Sequence, residues 1–393
     1  MNRKKRSKLG ISVFLCGLVI INSYIGIFIL VQEEFCDGKC YTIHEIYEFG
    51  PSSYPRMTQV DDLLLVAYSP NSFVLDGINL TSKERVGPKT IIPSGIGVAR
   101  STLHYAEALD MVLCVYNHDA AASVGIAWAP ASEVLNESAW TQQHDAVYLD
   151  YPQDFFHVGV WEPYLAPYND TDFLLYVSNQ TVYDPANPID VNNYYFLLEG
   201  YKVVQKIDIF WMHWNGTGFD VSYCGAASHD IPGGPIHYKD GMASSVLVWE
   251  NTTHKDYLMT FESFLPRPFG VYYLCITMVK IRVSTGGVET LWRRDMDDMQ
   301  GHAPFTTHQG GRYVTSYGGS LGGEWRITFR GTKEDETTVS QPIFLEAGFY
   351  GWPSIFTDSS DRLWLACQNT ETNKVTIIQL DLDFNWRKLY YTP

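Results

Sequence analysis

A proline that recurs at the head of short apolar hairpins restricts this chain more than any other feature. Pro55, Pro163, Pro304 and Pro353 are each followed, 14 or 15 positions later, by the polar end of an apolar strand, at Ser69, Ser178, Gly318 and Gln368. Turn-forming residues separate the halves of each unit: Val60-Asp61-Asp62, Asn169-Asp170-Thr171-Asp172, Gln309-Gly310-Gly311 and Asp358-Ser359-Ser360-Asp361. Each unit therefore reads as a β-hairpin. Two looser copies complete the series, Val98-Ala99-Arg100 ahead of Met111 to Asn117 and Asp240-Gly241-Met242 ahead of Tyr257 to Glu262, with longer turns. Six hairpins over about 360 residues give about 60 per unit, and no long helical period intervenes. The expected fold class is all-β, a six-bladed β-propeller in which radial repetition hides the sheet edges. A β-sandwich with long loops is the alternative. The interval from about Gln180 to Pro235 is the longest, and is expected to hold the outer strands of the third blade plus an insertion.

The 393 residues are 46% hydrophobic and 18% charged, enough apolar material for a large core. A net charge of −16 repels phosphate backbones, which excludes nucleic acid as a partner. Five basic residues, Arg3, Lys4, Lys5, Arg6 and Lys8, precede a run from Ile11 to Val31 that is apolar apart from Ser12, Asn22 and Ser23. At ~1.5 Å rise per residue such a run covers the ~30 Å hydrocarbon layer. The basic residues before it, with Glu33, Glu34 and Asp37 after it, hold the N-terminus in the cytoplasm and send the rest outside. Val31-Gln32-Glu33-Glu34-Phe35 offers no small-residue cleavage site, so the run reads as a single transmembrane signal anchor and not as a cleaved signal peptide.

The expected organisation is a cytoplasmic basic tail (1–10), a transmembrane helix (11–31), a short stalk (32–50) and the propeller (51–393), at the cell membrane with the propeller extracellular or lumenal. Six N-x-S/T sequons, at Asn79, Asn136, Asn169, Asn179, Asn215 and Asn251, lie beyond the anchor and agree with that topology. Cys36 and Cys40 are close enough for a small disulfide loop in an oxidising space. Cys114, Cys275 and Cys367 sit in apolar strand-like runs as buried free thiols. No C-x-x-C pair is present, so no zinc site and no cofactor is expected.

In a propeller the first strand of each hairpin lines the central channel, and antiparallel pairing puts its start at the same end as the finish of the second strand. One channel mouth should therefore collect Arg56, Arg100, Glu162, Asp240, His302 and Trp352 from first strands, and His118, Glu262, Tyr317 and Gln368 from second strands. Glu162 lies in Val160-Trp161-Glu162-Pro163, and Glu262 closes Leu258-Met259-Thr260-Phe261-Glu262. A carboxylate ending an apolar strand is costly unless it is paired or faces the mouth. The pair fits a glycosidase site, one carboxyl protonating the leaving oxygen and the other attacking or stabilising the oxocarbenium-like centre. It fits equally two ion pairs with Arg56 and Arg100 that close the channel.

Tyr54-Pro55-Arg56, Val160-Trp161-Glu162-Pro163, Lys239-Asp240-Gly241-Met242 with Phe261-Glu262, and Gly301-His302-Ala303-Pro304 resemble successive blade motifs of sialidase-superfamily propellers. The closest resemblance is to the exo-arabinanases of glycoside hydrolase family ninety-three, over about Tyr54 to Gln368. That resemblance implies an exo-acting glycosidase with a retaining mechanism, Glu162 as nucleophile and Glu262 as acid/base, acting on a terminal bond of an extracellular glycan or polysaccharide. Arg56, Arg100, His118, Asp240, His302, Tyr317 and Trp352 would contact the carbohydrate substrate. True sialidases carry three arginines on the substrate carboxylate and S-x-D-x-G-x-x-W boxes, whereas here Arg56 and Arg100 alone are placed for that and 359–364 is a broken box. A sialidase-like enzyme on an acidic sugar and a non-catalytic glycan- or protein-binding propeller remain as alternatives.

His118-Asp119 and His302 lack a third ligand at metal spacing. The glycine-rich stretch 318–323 has no helix after it and reads as a turn, not a phosphate cradle. Trp211, Trp214 and Trp325 are candidates either for core packing or for stacking on sugars.

Overall fold

The computed structural model describes residues 40–69, 72–92, 101–118, 123–148, 159–182, 196–198, 201–227, 239–267, 271–321, 324–346 and 348–388. The expected tail, the span 11–31 and Arg100 lie outside the described residues. No helix among the described residues is long and apolar enough to cross a membrane.

The chain folds as a six-bladed all-β propeller. The first blade comprises Ser53–Val60, Leu63–Ser69, Phe73–Asn79 and Arg85–Ile92, and the second Thr102–Ala106, Met111–His118, Ser123–Pro130 and Thr141–Tyr148. Gly159–Pro167, Asp172–Val182, Tyr201–Trp214 and Phe219–Ala226 form the third, with a short extra strand Phe196–Leu198 inside the long interval. The fourth is Lys239–Glu250, His254–Arg267 and Val271–Ser284, closed by the start of Gly287–Gln309. That long strand then turns inward to open the fifth blade, followed by Arg312–Leu321 and Glu324–Lys333. Phe349–Thr357, Leu363–Asn369 and Lys374–Leu382 build the sixth, and Tyr41–Pro51 supplies its outer strand by pairing with Lys374–Leu382. The stretch 32–50, expected to be a stalk, thus enters the propeller from Tyr41 onward. Joining the start of the chain to the last blade closes the ring, with edges left only at the outer strands of the blades.

Strand alternation explains why the ring holds together. Along the second strand of the first blade, Leu64, Val66 and Tyr68 pack toward the sixth blade, while Leu65 and Ala67 pack toward the second. The same alternation gives an apolar cluster between every pair of adjacent blades. Each buried Leu, Ile, Val or Phe in these clusters contributes roughly 1.5–3 kcal/mol. Cys114 and Cys367 are buried free thiols within them, Cys275 is a buried free thiol on the third strand of the fourth blade, and Cys40 is disulfide-bonded.

Candidate functional site at the channel mouth

Inner strands open at the mouth with a β-bulge, seen as a register shift at Ser53/Arg56, Trp161/Tyr164, Gly241/Ser244, His302/Phe305 and Tyr350/Ser354. Within four of these bulges a non-glycine residue takes the left-handed conformation: Tyr54 (φ 58°), Glu162 (56°), Met242 (54°) and Ala303 (53°). In the sixth blade Gly351 does so at φ 102°. Such backbone costs about 1–2 kcal/mol at a non-glycine residue and needs surrounding contacts to hold it. The recurrent proline marks the next position in three of them, at Pro55, Pro163 and Pro304, and Pro353 lies two positions past Gly351 within the longer sixth-blade bulge; no ladder donor is needed at any of these places, so all four fit without loss. Ala243 takes that place in the fourth blade.

Holding contacts come from the preceding blade. The Glu162 amide donates to Asn117 Oδ1 at 3.2 Å, and the Ala303 amide donates to Glu262 Oε2 at 3.2 Å. The Met242 amide donates to Ser178 Oγ at 3.1 Å and to Glu162 Oε2 at 2.8 Å, while Ser178 Oγ also donates to Glu162 Oε2 at 3.2 Å. Asn117, Ser178 and Glu262 occupy one structural position, the mouth end of a second strand, two residues beyond Val115, Tyr176 and Thr260. Glu162 and Glu262 both neighbour the start of the fourth blade's inner strand. Glu262 is the cross-strand partner of Gly241, and a Cβ on Gly241 would lie 3.3 Å from Glu162 Oε2. The Glu162 carboxylate thus takes the Met242 amide, while Glu262 stands across the ladder from Gly241 and turns its carboxylate to the Ala303 amide of the fifth blade. Glu162 is half-buried and lines the axial cavity, whereas Glu262 is 3% exposed.

That cavity is lined by all six blades, including Tyr54, Arg56, Thr102, Glu162, Met242, Ala303 and Trp352. Its volume is about 20 Å³, room for a single water, so a larger ligand would sit on the rim. Below it the channel is closed by Phe305, with the Arg56 guanidinium 5.1 Å above its ring and Tyr164 edge-on at 5.5 Å. Burial pushes the Tyr164 hydroxyl up to about 12, and it donates to the Ser245 carbonyl. On the far side of this plug a second cavity of about 340 Å³ opens at the other end of the channel. His104 lines it, its pKa lowered to about 4 by burial.

The remaining expected residues divide. Trp352 lines the mouth, its ring 4.2 Å from that of Tyr54, and its buried indole N–H has no acceptor among the described residues. His302 stands beside it, 5.8 Å from Trp352 and 5.0 Å from Trp325, in space that Gly318 leaves open: a Cβ there would lie 3.0 Å from His302 Nε2. Arg56 is engaged at the plug and donates to the Pro55 carbonyl. Asp240 is not a rim residue. It is 1% exposed and takes a bidentate pair from Arg293, at 3.0 and 3.2 Å, with Ser263 as a further donor. Burial works against the Arg293 charge, yet Asp240 and Asp295 outweigh it and raise its pKa. Tyr317 is 2% exposed and packs between the fourth and fifth blades, because a one-residue change in register turns a strand side chain to the opposite face. His118 has the same parity. It stacks on His144 at 4.5 Å and contacts Asp145 and Ser123 within the second blade, away from the cavity. Gln368 bonds Asn373. Asn117, Ser178 and Tyr54 were not singled out from sequence. The residue before each repeated proline and the polar residue ending each second strand were the available signals.

No family model and no curated protein sequence matches the chain. Solved structures do resemble it. A triple arginine-to-alanine mutant of AofleA from Arthrobotrys oligospora aligns at 9% identity and a TM-score of 0.51, covering 88% of each chain. An exo-1,5-α-L-arabinanase from a bovine ruminal metagenomic library aligns at 11% identity and TM-score 0.41, over 76% of this chain and 98% of that one. The exo-β-1,3-galactanase of Phanerochaete chrysosporium aligns at 10% and 0.45, over 74% and 61%. The likeness is one of fold.

Proposed function

We propose that this protein is a membrane-anchored, exo-acting glycosidase of the kind its resemblance to family ninety-three arabinanases implies, with the mouth receiving the end of an extracellular glycan. The observation that carries this reading is that the Glu162 carboxylate takes the Met242 amide in the wall of the axial cavity, while Glu262 is the strand partner of the adjacent Gly241. In the proposed double displacement a Glu162 carboxylate oxygen bonds to the anomeric carbon as the glycosidic C–O bond breaks, and Glu262 gives its proton to the departing oxygen. Glu262 then takes a proton from water, whose oxygen replaces Glu162 at the anomeric carbon. The Met242 and Ser178 donors to Glu162 Oε2 fix its aim. Aromatic rings supply the opposite wall. Trp211 packs on Tyr168 and Trp214 on Trp128, but Trp325 is 45% exposed and continues the path Trp352, His302 outward from the cavity. That path suits the apolar face of a neutral sugar chain. Arg56, occupied at the plug, gives less support to an acidic sugar.

A non-catalytic glycan-binding propeller is the second reading, and one observation favours it: Glu262 holds the position at which Asn117 and Ser178 do no more than secure the next bulge. Kinetics of the single variants on aryl α-L-arabinofuranosides and on arabino-oligosaccharides separate the two. Under the first reading Glu262→Ala slows poor leaving groups far more than activated ones, and azide restores turnover with a product of retained configuration. Glu162→Ala loses both substrate types. Wild-type behaviour of both variants would leave binding alone. The anchor is tested on intact cells, where external protease should trim the propeller and spare the N-terminal tail. A released protein beginning near residue 32 would mean a cleaved signal.

A further inference from the structure

The two faces of the propeller differ in their sequons. Five of the six sequon asparagines lie in connections at the end opposite the mouth. Asn169 and Asn251 are in turns between inner and second strands, whereas Asn79 ends a third strand and Asn136 and Asn215 follow third strands, and all of these strands run away from the mouth. Asn136, Asn169, Asn215 and Asn251 are exposed. In each of the five, the side-chain oxygen accepts the backbone N–H of the sequon's own Ser or Thr, at 2.8–3.2 Å, for example Thr253 on Asn251 and Ser138 on Asn136. In three of the five the side-chain amide nitrogen meets a carboxylate near the surface, Glu133 at 3.2 Å from Asn136, Asp172 at 2.6 Å from Asn169 and Asp220 at 3.1 Å from Asn215. What sets the sixth, Asn179, apart is its burial and its place at the mouth. It sits at the mouth end of a second strand, is 8% exposed and donates to Asp208 at 2.5 Å.

The chain enters the propeller on that same far face. Tyr41 pairs with Leu382 at the far end of the sixth blade, while Pro51 pairs with Lys374 at the mouth. About eight residues separate Val31 from Cys40, a reach of at most roughly 30 Å when extended. An anchor at 11–31 would hold the far face toward the bilayer and turn the mouth away from it.

We propose that Asn79, Asn136, Asn169, Asn215 and Asn251 are N-glycosylation sites that confine glycan to the membrane-side face, and that Asn179 stays unmodified. This rests on the proposed topology and is independent of the catalytic reading. In the modification a lipid-diphosphate-linked oligosaccharide is the donor. The asparagine amide nitrogen bonds to the anomeric carbon, the bond from that carbon to the diphosphate oxygen breaks, and the amide proton passes to the transferase's base. Glycan on this face keeps bulk off the rim and holds the domain clear of the lipid surface.

Full-length protein from a glycosylating cell, treated with peptide N-glycosidase in heavy-oxygen water and mapped by mass spectrometry, tests this. The expected result is labelled aspartate at sites confined to the five far-face positions, with Asn179 unlabelled. Label at Asn179 in folded protein overturns the proposal, and so does the absence of label at the four exposed asparagines. Protease added to the same intact cells tells which idea has failed. If the propeller is cleaved from outside yet carries no glycan, the glycan proposal alone falls; if it is protected, the topology falls with it. As a control, Thr253→Ala should remove the label at Asn251 and leave the other sites labelled.

Discussion

The mouth is built from one backbone device used around a ring, yet its two arcs carry different chemistry. From the second to the fifth blade, Asn117, Ser178 and Glu262 each secure the bulge amide of the following blade. From the fifth blade round to the first, Gly318 holds the matching position in the fifth blade and Gln368, bonded to Asn373 and not to the next bulge, holds it in the sixth, and His302, Trp352 and Tyr54 fill the space with rings. The difference shows how a repeat fold makes a site. The backbone bulge is kept, and the one residue facing the next bulge decides whether a wall is polar and rigid or aromatic and open.

The largest effect should come from removing the polar arc's carboxylate at the cavity. Glu162→Ala is expected to lower hydrolysis by at least ~10³-fold while the protein stays folded, measured as kcat/KM on an activated aryl glycoside. Next in size is a change outside both arcs. Arg293→Met leaves Asp240 buried without its bidentate partner and should destabilise by about 3–5 kcal/mol in denaturant unfolding. Latch variants are smaller. Asn117→Ala leaves the Glu162 amide without its acceptor and should cost about 1–3 kcal/mol. On the aromatic arc, Trp325→Ala should weaken binding of a neutral oligosaccharide to the Glu162→Gln protein by about tenfold, leave aryl monoglycoside turnover unchanged and barely move stability. Equal loss on both arcs would erase the distinction between them.

A final prediction concerns the far cavity. The folded-state pKa of His104 is lowered by burial to about 4 from an ordinary 6.5. Between those values the unfolded chain binds the extra proton, so stability is full above pH ~6.5 and falls as pH drops toward 4. Because the ring borders an open cavity, the loss should be less than the ~3 kcal/mol such a gap implies for a fully dry site. His104→Gln should flatten that part of the stability–pH curve.

Much of the fold was legible because the repeated proline is a structural mark, the unpaired position of each bulge. Glu162, Trp352 and His302 were found from that register alone. Tyr317 and His118 were misplaced by one residue, which in a strand is the difference between facing the next blade and the previous one. Asp240 was misjudged because its partner, Arg293, is 53 positions away on the outer strand, beyond anything hairpin spacing conveys. The strand Tyr41–Pro51 was missed for the same reason, since it pairs with residues at the other end of the chain.

The most direct test of the paired-carboxylate site is a crystal structure with an oligosaccharide on the rim, read for the separation of the Glu162 and Glu262 carboxyl groups. A retaining site requires ~5–5.5 Å with the terminal sugar between them, and that is the expected result. A separation beyond ~12 Å, outside both the retaining and the inverting ranges, would contradict it.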